Sequence, residues 1–283
     1  MENLKVCIDL SGTQDERLVK LYHAFNEREA NVLNESTRRS VNISTRIEQT
    51  LLDAKVTSDP ERLITAGTET REKLLELALE KDSLWENGRT ITVRFLGGTD
   101  LQQRQVMRYA RAWEAFANIK FNFLTSGAAT VRVAFMAGRG SWSQVGTDAL
   151  SNTDQTQPTM NFGWFTDATP ENEFRRTIVH EFGHCLGCIH EHQSPAAAIK
   201  WNKPVVYDYY ARTQGWDEAK VNHNLFATFN QTTITNSRFD PNSIMIYPIP
   251  ARFTLDGFQV GWNDDLSAHD KAFIARCYPK PSI

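Results

Sequence analysis

The spacing of apolar positions changes near residue 86. Before that point Leu18, Leu21, Tyr22 and Phe25 recur at the i, i+3, i+4, i+7 spacing of one helix face, and Leu74, Leu77 and Ala78 mark a second stripe. The polar stretch NESTRRSVNISTR between them reads as a linker or a loosely packed segment. Residues 1–86 are expected to form an N-terminal, mainly helical region. After Trp85, ENGR makes a turn and TITVRFL places Ile91, Val93 and Phe95 in strand alternation. LQQRQVMRYARAWEAFA then reads as a helix, and IKFNFL and TVRVAFM read as strands. This order of elements predicts an α/β or α+β layer in a domain over residues 87–283.

Further along, QPTMNFGWF reads as a short strand, and Gly163 within it suits the edge of a sheet better than its centre. Thr169 and Pro170 offer an N-cap and a first-turn proline to the periodic run ENEFRRTIVHEFGHCLG, which predicts a helix ending near Gly187.

Bulk properties narrow the function. The 283 residues are 41% hydrophobic, enough for a buried core. With 31 Lys and Arg against 34 Asp and Glu, the formal charge of -3 gives no basic field for nucleic acid or an anionic membrane surface. No apolar run is long enough to span a membrane, and MENLKVCIDLSG lacks the apolar stretch of a signal peptide. Cys7, Cys185, Cys188 and Cys277 are too few and too unevenly spread for a disulfide framework.

The chemistry concentrates in HEFGHCLGCIHE, residues 180–191. His180 and His184 are four apart, so on a helix both imidazoles leave the same face and can grip one cation. Glu181 is rotated away from that face, badly placed as a ligand but within reach of a water beside the metal. Gly187 allows the left-handed conformation that stops the helix and turns the chain back. His190 then completes three nitrogen ligands with an open position, the arrangement of a catalytic rather than a structural zinc.

His180, Glu181, His184, Gly187 and His190 resemble the HExxHxxGxxH pattern of the metzincin metalloproteases, and Glu191 after the third histidine is similar to the astacin family within them. SIMIY, residues 243–247, is similar to that family's Met-turn. The resemblance implies a two-lobed zinc protease domain, one catalytic Zn2+, a protein or peptide substrate, and hydrolysis by a metal-activated water with Glu181 as general base. It implies Met245 as an apolar floor under the histidines and Tyr247 as a further zinc ligand that donates to the oxyanion. It also implies an edge strand that binds substrate by strand addition, here placed at Met160, Asn161, Phe162, Gly163 and Trp164.

Several positions depart from the pattern. Cys185 and Cys188 stand where the family has small or apolar residues; buried thiols, a disulfide with each other or with Cys277, and a CxxC redox pair remain open. Family members often carry a propeptide that plugs the zinc with an aspartate, but Gly12 and Gly67, the two glycines before residue 86, are not followed by Asp; residues 1–86 are open to a propeptide or regulatory role and to a targeting or partner-binding one. Cys7 is open to two readings, an ordinary strand cysteine or a thiolate that reaches the zinc. Glu191 is expected to meet a new N-terminal amine if the chain is cut near Trp85, and otherwise a partner in the C-terminal half. His192 directly follows the motif and is open to two readings, an approach to the cleft or, the favoured one, a solvated surface position; His23, His223 and His269 have no ligand spacing. Arg252 and Lys203 are candidates for reading an acidic substrate side chain, or surface charges. A rival reading is a catalytically silent zinc domain that only binds peptides or a partner; the intact Glu181 and Tyr247 argue against it. The family's work outside cells and the leaderless N-terminus leave three expectations for location: a removed leader, export without a signal, or action in the cytoplasm.

Overall fold

A computed structural model describes residues 4–8, 84–228 and 239–281. All of them belong to one compact unit made of Met1–Leu10, Leu84–Thr228 and Ser237–Ile283. The helix stripes and linker expected before residue 84 lie outside the described residues.

Strand β1 (Thr90–Phe95) buries Ile91 and Val93 as its alternation predicts, while Phe95 lies half-buried against Phe123 and Phe135. Helix α1 (Asp100–Ala110) starts from Thr99, whose hydroxyl accepts from Gln102 N–H while the Gln102 side chain accepts from Thr99 N–H. Its buried face is Gln102, Val106 and Ala110. The apolar pattern runs on to Ala117, yet the helix stops at Ala110. The chain tightens there into the 3-10 turn Trp113–Ala115, which lets the Trp113 indole donate to Val179 O at 2.9 Å.

Strands β2 (Lys120–Leu124), β3 (Val131–Ala134), β4 (Ser141–Ser143) and β5 (Met160–Phe162) complete a sheet of order β2-β1-β3-β5-β4. All neighbours run parallel except β4, which is antiparallel to β5. This corrects the edge-strand expectation for Met160, Asn161 and Phe162, with Gly163 and Trp164 just beyond. Met160 pairs with Val133 on one side and Ser143 on the other, so β5 is an interior strand. The uncharged triplet MNF is buried throughout, which suits an interior position. The edge falls to β4.

Helix α2 (Glu171–Cys185) begins one residue later than expected, with Pro170 rather than Thr169 at its N-cap. The Thr169 hydroxyl instead accepts from Thr166 N–H at 2.8 Å and closes the preceding turn. Beyond α2 lie α3 (Lys203–Gln214), α4 (Glu218–Val221) with a π-helical turn Asn222–Phe226, and α5 (Ala268–Cys277).

Among the described residues the apolar interior forms two clusters. One fills the space between the sheet, α1 and α2 and includes Met245; the other gathers around Val206, Tyr209 and Tyr210 of α3 and includes Ile246 and Tyr247. SIMIY therefore crosses from one cluster to the other, as a two-lobed domain requires. Among the described residues no helix is long and apolar enough to cross a membrane.

Candidate active site

The candidate ligands converge where α2 ends. Ile178 to Cys185 are all buried, so the imidazoles emerge from packed helix rather than from a loose loop. At the stop, Gly187 N–H donates to His184 O at 2.8 Å and Cys188 N–H to Gly183 O at 3.0 Å, the paired bonds of a Schellman cap. Gly187 carries φ +92°, the left-handed conformation expected for it. Trp85 and Tyr278 hold the same end: the Trp85 indole donates to Cys185 O at 2.7 Å and the Tyr278 hydroxyl to Leu186 O at 2.8 Å. His190 is returned to its place opposite His180 and His184.

The three rings face one another through Nε2, with His184 Nε2 3.2 Å from His180 Nε2 and 3.0 Å from His190 Nε2. Behind them His180 Nδ1 meets Ile244 O at 2.8 Å and His184 Nδ1 meets Cys188 O at 2.8 Å. Those carbonyls require Nδ1–H, so the inward Nε2 atoms of both rings are lone pairs. Burial, with His184 beside each, holds His180 and His190 well below the ordinary imidazole pKa, so they are neutral ligands. Converging lone pairs repel unless a cation lies between them, and the donor set fits zinc. The Cys7 sulfur joins this group: it and the histidine nitrogens all lie within 4.8 Å of one another. The Cys7 backbone pairs with the edge strand at Ser141, which places its sulfur beside the histidine nitrogens.

Glu181 is fully buried. Burial pushes its carboxyl up to about 8, against the Cys7 thiol and the Arg176 guanidinium, which favour the anion. Oε2 accepts from Cys7 Sγ at 3.4 Å, while Oε1 has no hydrogen-bond partner among the described residues. An orphaned carboxylate oxygen beside a ligand cluster is where a water belongs. Tyr247 packs its ring 4.4 Å from that of His190 and donates its hydroxyl to Cys7 O. Met245 lies under α2 at Gly183, where a Cβ would run into its sulfur.

Sequence reasoning placed the three histidines, Glu181, Tyr247 and Met245 together, and the structure does so too. It missed Asp270, a buried carboxylate on α5 that accepts from Ser243 Oγ at 2.7 Å and from Ile244 N–H at 2.8 Å. Ile244 is the residue whose carbonyl orients His180, so Asp270 sets the ligand through the Met-turn. The capping box of Ser267 and Asp270 was the available signal, and it pointed only to a helix start. His192 is a correction: it is buried, with Nε2 2.9 Å from Asn224 O, because the π-helical turn covers it. Arg252 lies over Tyr209 and Phe253, and Lys203 over Phe226; neither lines the cleft beside Glu181. Arg176 does, paired to Glu173 at 2.8 Å and stacked 3.9 Å from the Trp262 ring. Glu191 accepts from Asp240 N–H at 2.9 Å, within the C-terminal half. Cys185 and Cys188 are buried thiols outside any disulfide, and burial pushes Cys185 up to about 12.

The fold and the site define a metzincin-type zinc protease. The profile of the peptidase family described as Astacin matches residues 78–253, more than half of the 283, and the chain belongs to that family, which uses one catalytic zinc. The solved structure of myroilysin is 49% identical, with a TM-score of 0.69 over 71% of this chain and 97% of that one. A crystal structure of myroilysin is 48% identical, with a TM-score of 0.56 over 71% of this chain and 88% of that one. Protein SpAN of Strongylocentrotus purpuratus is 30% identical over 141 residues, 48% of this chain and 20% of SpAN. The aligned part spans about a fifth of that curated relative.

Proposed function

We propose that this protein is a zinc endopeptidase held latent by its own residues 4–8. The observation that carries the reading is the position of Cys7, whose sulfur completes the ligand group while touching the base Glu181. The flanking backbone supports it. Ile8 N–H donates to Ser141 O at 3.0 Å, Leu4 N–H to the Tyr209 hydroxyl at 2.7 Å, and the Gln214 side chain to Leu4 O at 2.7 Å. The segment thus pairs in parallel with edge strand β4, the place an extended peptide would take by strand addition. The aspartate latch looked for in the sequence is replaced in function by a cysteine.

Zinc, when bound, supplies Lewis acidity that lowers the pKa of water to about 7 and polarises a carbonyl. The rest falls to the chain. His180, His184 and His190 hold the ion as neutral nitrogens. Once Cys7 withdraws, Glu181 Oε1 and Oε2 are both available to take a proton from water and return it to the departing amine. The Tyr247 hydroxyl, released from Cys7 O, donates to the carbonyl oxygen as its charge grows. The substrate is an extended peptide or protein segment paired with β4.

The test compares zinc-loaded full chain, Cys7→Ser and Glu181→Ala on a denatured protein substrate. A tethered thiolate at high effective concentration predicts a gain of about tenfold or more for Cys7→Ser. Removing the base predicts a loss of about a hundredfold or more with zinc retained. A silent Cys7→Ser protein, together with a full chain that an organomercurial fails to activate, would instead favour a zinc domain that only binds peptides.

A further inference from the structure

We infer that His192 is a positioning residue that braces the phenol of Tyr247, a role that rests on the proposed use of Tyr247 as oxyanion donor. Two residues after the last ligand, His192 lies outside the ligand group, yet it is 2% exposed. Its ring centroid lies 4.4 Å from that of Tyr247 at 36° and 5.2 Å from that of His190 at 25°. Trp201 closes another side edge-on at 6.4 Å. The His192 ring therefore packs against both a metal ligand and the phenol.

What fixes the ring is the π-helical turn Asn222–Phe226. A turn of that kind carries one residue more than an α-turn, which redirects its carbonyls. Asn224 O meets His192 Nε2 at 2.9 Å, and the neighbouring His223 O accepts from the Gln193 side chain at 2.8 Å. The turn is closed by Ala227 N–H on Asn222 O at 2.7 Å and by the Asn224 side chain on Lys220 O at 2.8 Å. Irregular helix thereby anchors two consecutive side chains behind the site. Tyr247 swings about its own side-chain torsions when it leaves Cys7 O, and the His192 face limits the arc that its ring can take. Its hydroxyl then meets a substrate oxygen at a set angle rather than after a search.

The experiment is a double-mutant cycle in the zinc-loaded full chain, read first without catalysis. The rate at which a thiol reagent modifies Cys7 measures how firmly Tyr247 and the rest of the latch close. Loss of one hydrogen bond predicts that Tyr247→Phe speeds Cys7 modification about fivefold. His192→Ala should speed it by a similar factor, and should add nothing in the Tyr247→Phe background. The second reading is kcat and KM after an organomercurial has opened the full chain. A tenfold fall in kcat, roughly, with little change in KM is expected for His192→Ala, and no further fall beside Tyr247→Phe. His192→Phe, which keeps a flat ring, should recover most of both losses and serves where the alanine variant does not fold. Equal effects of His192→Ala in both backgrounds mean packing alone and overturn the inference, as does no effect in either. If Tyr247→Phe itself changes nothing, the role given to Tyr247 fails first and takes this one with it. A defect in Tyr247→Phe beside an intact His192→Ala sinks only the brace.

Discussion

At the scale of single residues, the candidate site depends on groups outside the ligand set. Asp270 makes two charge-assisted hydrogen bonds into the Met-turn, to Ser243 Oγ and Ile244 N–H, and the Ile244 carbonyl in turn orients His180. Each such bond contributes about 1.5–3 kcal/mol. Asp270→Ala is therefore expected to lower stability by about 3 kcal/mol or more and to weaken zinc binding although it removes no ligand. Thermal melting and zinc content of the purified variant check both; full zinc retention would separate the Met-turn from the ligand geometry. Cys185 and Cys188 lie apart from the ligand group that Cys7 joins. Burial holds Cys185 and Cys188 protonated far above neutral pH, so they should resist thiol reagents in the folded protein. Mass mapping after brief exposure would show whether either reacts before the chain unfolds.

At the scale of elements, α2 carries two candidate ligands and Glu181, the proposed base, and its end decides where the third histidine falls. Gly187 at φ +92° is the hinge of that end. A side chain there costs about 1–2 kcal/mol in the left-handed region, and its relaxation would drag Cys188 O away from His184 Nδ1. Gly187→Ala should thus lose zinc affinity as well as stability, which a competition titration with a chromogenic chelator reads directly. Unchanged affinity would show that the His190 segment positions itself. This part of the site was legible in advance, because helix period, left-handed glycine and ligand spacing are all local properties. The edge strand was not legible. MNF and SWS are both short and uncharged, and a strand of three residues carries no signal of what pairs on its two sides.

At the scale of the whole molecule, SIMIY joins the two apolar clusters of the described residues, with Met245 in one and Tyr247 in the other beside the candidate ligands. An ion held by three histidines stabilises only the folded state, by about 2.7 kcal/mol when zinc is a hundredfold above its Kd. Chelation should lower the melting temperature, and re-addition of zinc should restore it. Because Cys7 shares the same ligand group, Cys7→Ser should narrow that difference. A melting point that ignores chelator would mean that the cluster folds without its ion.

The sequence by itself determined the three histidines, Glu181 beside them, the helix that carries them, the break at Gly187 and the Met-turn, and with them the family. Each is written in spacing along a few neighbouring residues, where backbone geometry leaves little choice. Only the tertiary structure decided that Cys7 reaches the ligands from residues far away in the chain, and that β4 rather than β5 is the edge. It alone brought Asp270 beneath Ile244 and buried His192 behind Tyr247. These depend on which surfaces meet when distant segments pack. A cysteine, an aspartate or a histidine acquires such a role from its neighbours in space, which the order of residues alone does not state.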